Sequence, residues 1–210
     1  FAQNVDMRSG SPAFGGPEGA WALLVGGQMA RRYGLPYRAS GGLTNSQSAD
    51  AQAAYESQWT MWPAMLAHTN IMLHGAGWLE AGLVASYEKF IIDAEALAMF
   101  CHFLNDFPIT NDSLAVEAIA EIGPGGHHFG TTLTQANYKT AFYDPALASR
   151  EGFEQWQASG GQDALQRAGK LWPRILDAYQ PPPLDPAIRD ALDDFVARRE
   201  RELEGVDLYA

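Results

Sequence analysis

Asn70-Ile71-Met72-Leu73-His74-Gly75-Ala76-Gly77-Trp78-Leu79-Glu80-Ala81-Gly82 is an apolar run that stops at a histidine and opens into a glycine-rich loop. The run to His74 reads as a buried strand, and the glycines after it let backbone approach a ligand closely. Tyr37-Arg38-Ala39-Ser40, followed by Gly41-Gly42, is a second extended segment, and Gln3-Asn4-Val5-Asp6-Met7 reads as the end of a third. Strand ends near Met7, Ser40 and His74 thus lie about 34 residues apart, the length of one strand-loop-helix-loop unit of a parallel sheet. That spacing predicts an α/β fold.

The segments between these strands read as helices. Gly16 and Pro17 open the first, Trp21, Leu24, Val25 and Met29 recur along it, and Gly34 and Pro36 close it. Tyr55, Trp59, Trp62 and Leu66 form the apolar stripe of the second, with Pro63 expected to kink or break it. Ser86 to Ile92 is read as a fourth strand, with Asp93 capping a helix that carries Leu97, Phe100, Cys101 and Leu104; the pattern leaves open a short helix over residues 78–85. After Asn105 only helices and loops are expected. These are Asp112 to Ile122, about Asp163 to Tyr179 with an interruption near Trp172-Pro173, and, beyond Pro181-Pro182-Pro183, a helix from Asp185 with Ile188, Leu192, Phe195 and Val196 inward. About four βα units are the C-terminal half of a TIM (β/α)8-type barrel, whose sites lie at the C-terminal strand ends. The expected organisation is a barrel half over 1–105 and a helical C-terminal extension packing on it over 106–210.

Composition limits the function. With 210 residues, 47% hydrophobic and 19% charged, the chain is long enough for a real core. A formal charge of −11 and scattered basic residues argue against a nucleic-acid partner. No apolar stretch approaches the roughly 20 residues that span a bilayer, so no membrane partner is expected. The start Phe1-Ala2-Gln3-Asn4 has no signal-peptide character, and the lone Cys101 fits a reducing cytoplasm. The chain lacks an initiator Met and reads as the later part of something longer.

The chemistry-bearing residues cluster at the expected strand ends: Asp6, Arg8, Asn45, Asp50, Gln52, Glu56, His74 and Glu80. Each also has a plainer reading. Asp6 and Arg8 pair with each other, Asp50 caps the second helix, and Glu56 lies on a solvated face. Trp78 stands apart from the other aromatics because it sits in a loop rather than on a periodic face. An aromatic ring over a desolvated cation contributes roughly 2 kcal/mol. His127-His128, after Gly123-Pro124-Gly125-Gly126, offers no ligand spacing for a metal, and a tight loop plugging the barrel mouth is the expected role. Phosphate-loop, dinucleotide and nucleophile-elbow motifs are absent.

Several longer stretches are recognisable. Asp6-Met7-Arg8-Ser9-Gly10-Ser11-Pro12-Ala13-Phe14-Gly15-Gly16-Pro17-Glu18, Ala30-Arg31-Arg32-Tyr33-Gly34-Leu35-Pro36, Asp50-Ala51-Gln52-Ala53-Ala54-Tyr55-Glu56, Ser86-Tyr87-Glu88-Lys89, Glu121-Ile122-Gly123-Pro124-Gly125-Gly126-His127 and Pro181 to Pro186 resemble the trimethylamine methyltransferase family. The likeness runs over nearly the whole chain and covers the C-terminal part of the family's length. It implies a (β/α)8 barrel that moves a methyl group from a quaternary or tertiary amine to the Co(I) form of a corrinoid (cobalamin) on a separate carrier protein, with no cofactor bound tightly. The family has pyrrolysine members that act on trimethylamine and others that include betaine demethylases. With only standard residues, this chain resembles the second kind. On that resemblance His74 and Glu80 are the expected catalytic residues. Trp78 with Tyr55 or Tyr87 contacts the ammonium, His74 or Arg8 holds the carboxylate, Asp6 or Glu80 balances charge, and Asp50 completes the substrate-binding set. The expected partners are the corrinoid protein, a methylamine or betaine, and the N-terminal half of the barrel or a second copy, giving an oligomer. A competing reading is a non-catalytic betaine-binding or corrinoid-protein-docking subunit.

Overall fold

The computed structural model describes residues 4–207. They form two compact units, one up to Arg174 and one from Ile175 onward. The first unit opens with a turn in which Val5 bridges Pro12 antiparallel. Of the expected first strand, Gln3 lies outside the described residues and Asn4 to Met7 contribute only that bridge. Helix α1 (Pro17–Tyr33) follows, with Pro at its first turn and Gly34 closing it in the left-handed conformation.

Strand β1 (Arg38–Ser40), helix α2 (Ala51–Leu66) and strand β2 (Ile71–Leu73) form a βαβ unit. The strands pair parallel, Arg38 with Ile71, Ala39 with Met72 and Ser40 with Leu73, so the interval of about 34 residues read from the sequence corresponds to a real parallel register. Asp50 caps α2 by accepting from the Ala53 N–H at 2.9 Å. Pro63 is carried inside α2, which continues to Leu66 rather than breaking. A small antiparallel hairpin, β3 (Trp78–Leu79) and β4 (Val84–Ala85), encloses a single 3-10 turn at Glu80–Gly82.

The fourth strand expected over 86–92 is instead the start of helix α3 (Tyr87–Leu104). Ser86 is its N-cap, accepting from the Lys89 N–H at 3.2 Å, which leaves Asp93 about two helical turns inside. A short run rich in aromatic and β-branched residues fits strand or helix by pattern alone. Here the Ser86 cap and the Lys89–Asp93 pair, four residues apart and 2.5 Å at its closest, select the helix.

The apolar stripes also face the other way from expectation. Trp21 and Val25 of α1 and Tyr55, Trp59 and Leu66 of α2 are exposed, while Ala20, Leu23 and Gly27 of α1 and Ala53, Ser57, Thr60, Met61 and Ala64 of α2 are buried. The physical reason is close approach: α1 and α2 meet where a Cβ on Gly27 would lie 2.5 Å from the Ala67 carbonyl oxygen and 2.7 Å from its Cβ. Small residues therefore take the inner faces, and Leu23, Ala39 and Ala64 with Tyr37 and Met72 make the core between them. Gly27→Ala is expected to destabilise the protein by about 1–3 kcal/mol through overpacking, despite the better helix propensity of alanine. An unchanged urea midpoint would contradict this contact.

A second core joins α3 to helix α8 (Ala164–Asp177) through Ile91, Leu147 and Ala168. Trp172 donates to Glu88 at 2.8 Å, and Glu95 accepts from the N–H groups of Ala146 and Leu147. Pro173 lies within α8 without interrupting it. Between them the chain forms α4 (Asn111–Leu114), α5 (Val116–Ile122), α6 (Thr132–Asn137) and α7 (Phe153–Ala158). The single helix expected from Asp112 to Ile122 is split at Ala115, whose φ is 53°. In the second unit, α9 (Pro186–Leu203) is capped by Asp185 as expected, but Ile188, Leu192, Phe195 and Val196 are about half exposed rather than inward. No helix among the described residues is long and apolar enough to cross a membrane.

Candidate functional site

Three loop segments meet beyond the C-terminal ends of β1 and β2. Glu56, reaching from α2, accepts at Oε2 from Thr44 Oγ1 at 2.6 Å and from the Asn45 N–H at 2.8 Å, while its Oε1 accepts from Gln52 Nε2 at 3.0 Å. Asn45 in turn accepts from the Phe14 N–H at 2.8 Å and donates to the Pro12 carbonyl at 2.7 Å. The hairpin turn completes the assembly by backbone pairing, Glu80 N–H to Ser46 O and Ala81 N–H to Thr44 O, each 2.8 Å. Gly15 is required at this junction, because its φ is +75° and a Cβ there would lie 2.4 Å from the Cβ of Glu56.

Two cavities border this junction. The larger, about 690 Å³, is lined by Asp6, Glu56, Glu80, Asn45, Gln52 and Phe14 among others, and among the described residues by no Lys, Arg or His. The smaller, about 210 Å³, is lined by Tyr37, Arg38, Ser40, Thr60, His74 and Phe14 among others, and among the described residues by no carboxylate. Residues Ala13, Phe14 and Gly15 belong to the walls of both. The larger cavity suits a cation and the smaller an anion, by the sign of the groups that line them. Burial pushes the Tyr37 phenol above its ordinary pKa, so it stays a neutral hydrogen-bonding group.

The expected site residues divide between these walls and the surface. His74 lines the smaller cavity, its ring edge-on to Trp78 at 5.6 Å and its Nδ1 3.1 Å from Ser40 Oγ. Asp6 and Glu80 line the larger one. Arg8 donates its backbone N–H to Asp6 Oδ1 at 2.9 Å and is exposed, so the two interact through the loop backbone. Tyr55 is exposed on the outer face of α2, and Tyr87 stacks on Trp172 at 4.7 Å. Neither tyrosine lines the two cavities, and nor does Trp78, which meets them only through its contact with the His74 ring. Asp50 serves as the α2 cap and also accepts from Ser46 Oγ at 2.9 Å. The Ala53 N–H and that hydroxyl hold its carboxyl below the usual range. The ionised cap therefore favours folding above the ordinary carboxylate pKa, and this contribution fades as pH falls through the folded value. His127 and His128 are exposed on the loop after Gly126, His127 lying against Phe129.

Sequence reading missed the group that holds this arrangement from beneath. Lys89 and Asp93 are buried on α3; the Lys89 ammonium donates to both Asp93 oxygens and to Ser57 Oγ at 2.8 Å. Asp93 also accepts from the Gly77 N–H at 2.9 Å, and Ser57 donates to the Gly42 carbonyl at 3.3 Å. Desolvation pushes the Lys89 pKa down and the Asp93 pKa up, each opposed by the partner's charge. The i, i+4 Lys–Asp spacing was the available signal.

The family model for trimethylamine methyltransferase (MTTB) matches residues 1–204. The chain belongs to this family. Over 198 residues it is 42% identical to the glycine betaine methyltransferase of Desulfitobacterium hafniense (strain Y51), a match covering 94% of this chain and 41% of that relative. It is 31% identical over 198 residues to the trimethylamine methyltransferase MttB of Desulfitobacterium hafniense (strain DSM 10664 / DCB-2), covering 94% of this chain and 40% of that protein. With the trimethylamine methyltransferase MttB1 of Methanosarcina acetivorans the identity is 30% over 203 residues, covering 96% and 40% respectively. The chain thus spans about two fifths of the length of these curated relatives. Within the family, the loops described here fall inside the matched region.

Proposed function

We propose that this chain is part of a methyltransferase that takes a methyl group from a quaternary or tertiary amine, glycine betaine or a close analogue before trimethylamine, and transfers it to a Co(I) corrinoid on a separate carrier protein. The observation that carries the reading is the pairing of a carboxylate-lined cavity (Asp6, Glu56, Glu80) with an Arg38- and His74-lined one across the shared wall of residues 13–15. A betaine is a zwitterion, and this is the charge pattern that would recognise it. The parallel β1–β2 pair with its helical crossover supports reading residues 1–105 as the second half of a (β/α)8 barrel, with 106–210 as its helical extension.

The corrinoid, arriving on another protein, supplies the nucleophile that accepts the methyl group. What this chain must offer such a co-substrate is an open rim of small residues. Gly10, Ser11, Gly15 and Gly16 line the larger cavity and Asp6 and Glu80 are exposed beside it, which fits. As the methyl leaves, the C–N electron pair stays on nitrogen and the positive charge there disappears. Tight cation binding would therefore hold the ground state back. Exposed carboxylates at the rim attract the ammonium without clamping it, Phe14 on the shared wall supplies apolar surface that excludes water, and His74 with Arg38 anchors the carboxylate end. The protein's contribution is orientation rather than acid-base chemistry.

The test is to mix the full-length protein with glycine betaine, the reduced corrinoid and its carrier. Loss of the Co(I) absorbance together with formation of dimethylglycine is expected. Absence of turnover with glycine betaine, trimethylamine and other N-methyl compounds would overturn the enzyme reading, and betaine binding without turnover would favour a binding subunit.

A further inference from the structure

Ser40 ends β1 and His74 follows the last residue of β2, and the parallel register sets Ser40 beside Leu73. The two polar side chains therefore meet across adjacent strand ends, Ser40 Oγ to His74 Nδ1 at 3.1 Å. Ser40 is half-buried, and its hydroxyl makes no other hydrogen bond among the described residues. Either partner of this pair can donate; with Ser40 as the donor, the hydroxyl proton goes to Nδ1 and the ring's own proton is on Nε2.

The backbone adds an independent reason to assign the imidazole a fixed direction. His74 has φ 58°, in the left-handed region, although the next residue is a glycine that would take that conformation freely. Holding an L-residue there stores strain, which the surrounding contacts must maintain. Those contacts are the Ser40 bond on one edge of the ring and the Trp78 indole, edge-on at 5.6 Å. The ring opens on the cavity that Arg38 also lines.

We propose that Ser40 is a positioning residue: by donating to Nδ1 it holds His74 as the Nε2–H tautomer, so that the imidazole donates to the carboxylate of a betaine and the site discriminates against methylated amines that lack one. This deepens the methyl-donor reading above and rests on it. Arg38 supplies charge for the same anion, while His74 supplies direction. The Ser40 hydroxyl acts only through the ring and touches no substrate.

The decisive measurement is nitrogen NMR of the full-length protein labelled in its histidine rings, with His74→Gln used to assign the signals. His74 is expected to show an unprotonated Nδ1 and a protonated Nε2, and Ser40→Ala to convert this to a mixture of tautomers. In kinetics, Ser40→Ala should raise KM for glycine betaine roughly five- to tenfold, the size of one modest hydrogen-bond contribution. KM for tetramethylammonium, which has the same cation and no carboxylate, should not move, and Ser40→Thr should restore the betaine value. A wild-type His74 protonated at Nδ1, or equal changes in KM for both cations, overturns the assignment. If the wild-type protein turns over neither compound, the methyl-donor reading falls, and the tautomer still upholds or overturns the role of Ser40.

Discussion

Asp93→Ala is expected to lower the stability of the full-length protein by about 3–5 kcal/mol, because it strands the buried Lys89 ammonium without its counter-charge. Lys89 is 1% exposed and Asp93 2% exposed, so water cannot take the place of the missing carboxylate. Part of the cost is relieved by deprotonation of Lys89, whose pKa burial already depresses. The Gly77 N–H loses its acceptor at the same time, which is why loop 74–78 should loosen along with the helix. Replacing both partners together, Lys89→Met with Asp93→Leu, should cost less than either single removal, since no unpaired charge then remains. Thermal unfolding measures this, with a fall on the order of 10 °C expected for Asp93→Ala. A midpoint within a degree of wild type would show that the pair is not buried as described.

Gly42→Ala should be nearly as damaging, through backbone rather than charge. Gly42 has φ +69°, and a Cβ there would lie 2.6 Å from the Gly75 oxygen and 2.8 Å from the His74 oxygen. The left-handed conformation alone costs an alanine roughly 1–2 kcal/mol. The clash is with main chain at the end of a parallel strand, which cannot rotate away as a side chain would. A total loss of about 3 kcal/mol or more is expected, accompanied by weaker substrate binding, since the segment displaced is the one that carries His74. Gly10→Ala is the control: φ is +74°, but nothing lies within 4 Å of the added methyl, so only the conformational cost applies. Equal losses for the two variants, read by chemical denaturation, would remove the close approach between the 42 and 74–75 turns from the account.

Part of the site was legible before any fold was known. The interval from Ser40 to His74 exposed the βαβ unit because strand, helix and turns have fixed lengths, and the same interval set the two residues at neighbouring strand ends. Asp50 and Asp185 were readable as caps because an acidic residue before a helix-forming run satisfies orphan N–H groups locally. Tyr55 and Tyr87 illustrate what pattern could not supply. Both are aromatic and both fall near the loops in sequence, yet one points away from the core of its helix and the other finds Trp172, 85 positions downstream. Glu56 was placed on a solvated face by periodicity, whereas its carboxylate turns inward to bind loop 44–45, because unpaired backbone and hydroxyl donors there need an acceptor.

Local spacing and capping dictated the helices α1, α8 and α9, the pairing of β1 with β2 and the placing of His74 at a strand end, since each depends on interactions within a few residues or on the fixed length of one repeat. Tertiary structure decided which helix faces turn inward and that Lys89 and Asp93 tie α2, α3 and the loop after β2 together. Packing between α1 and α2 admits only small side chains, and the energy of a buried charge pair depends on partners brought together from Ser57 and Gly77, which no local pattern encodes.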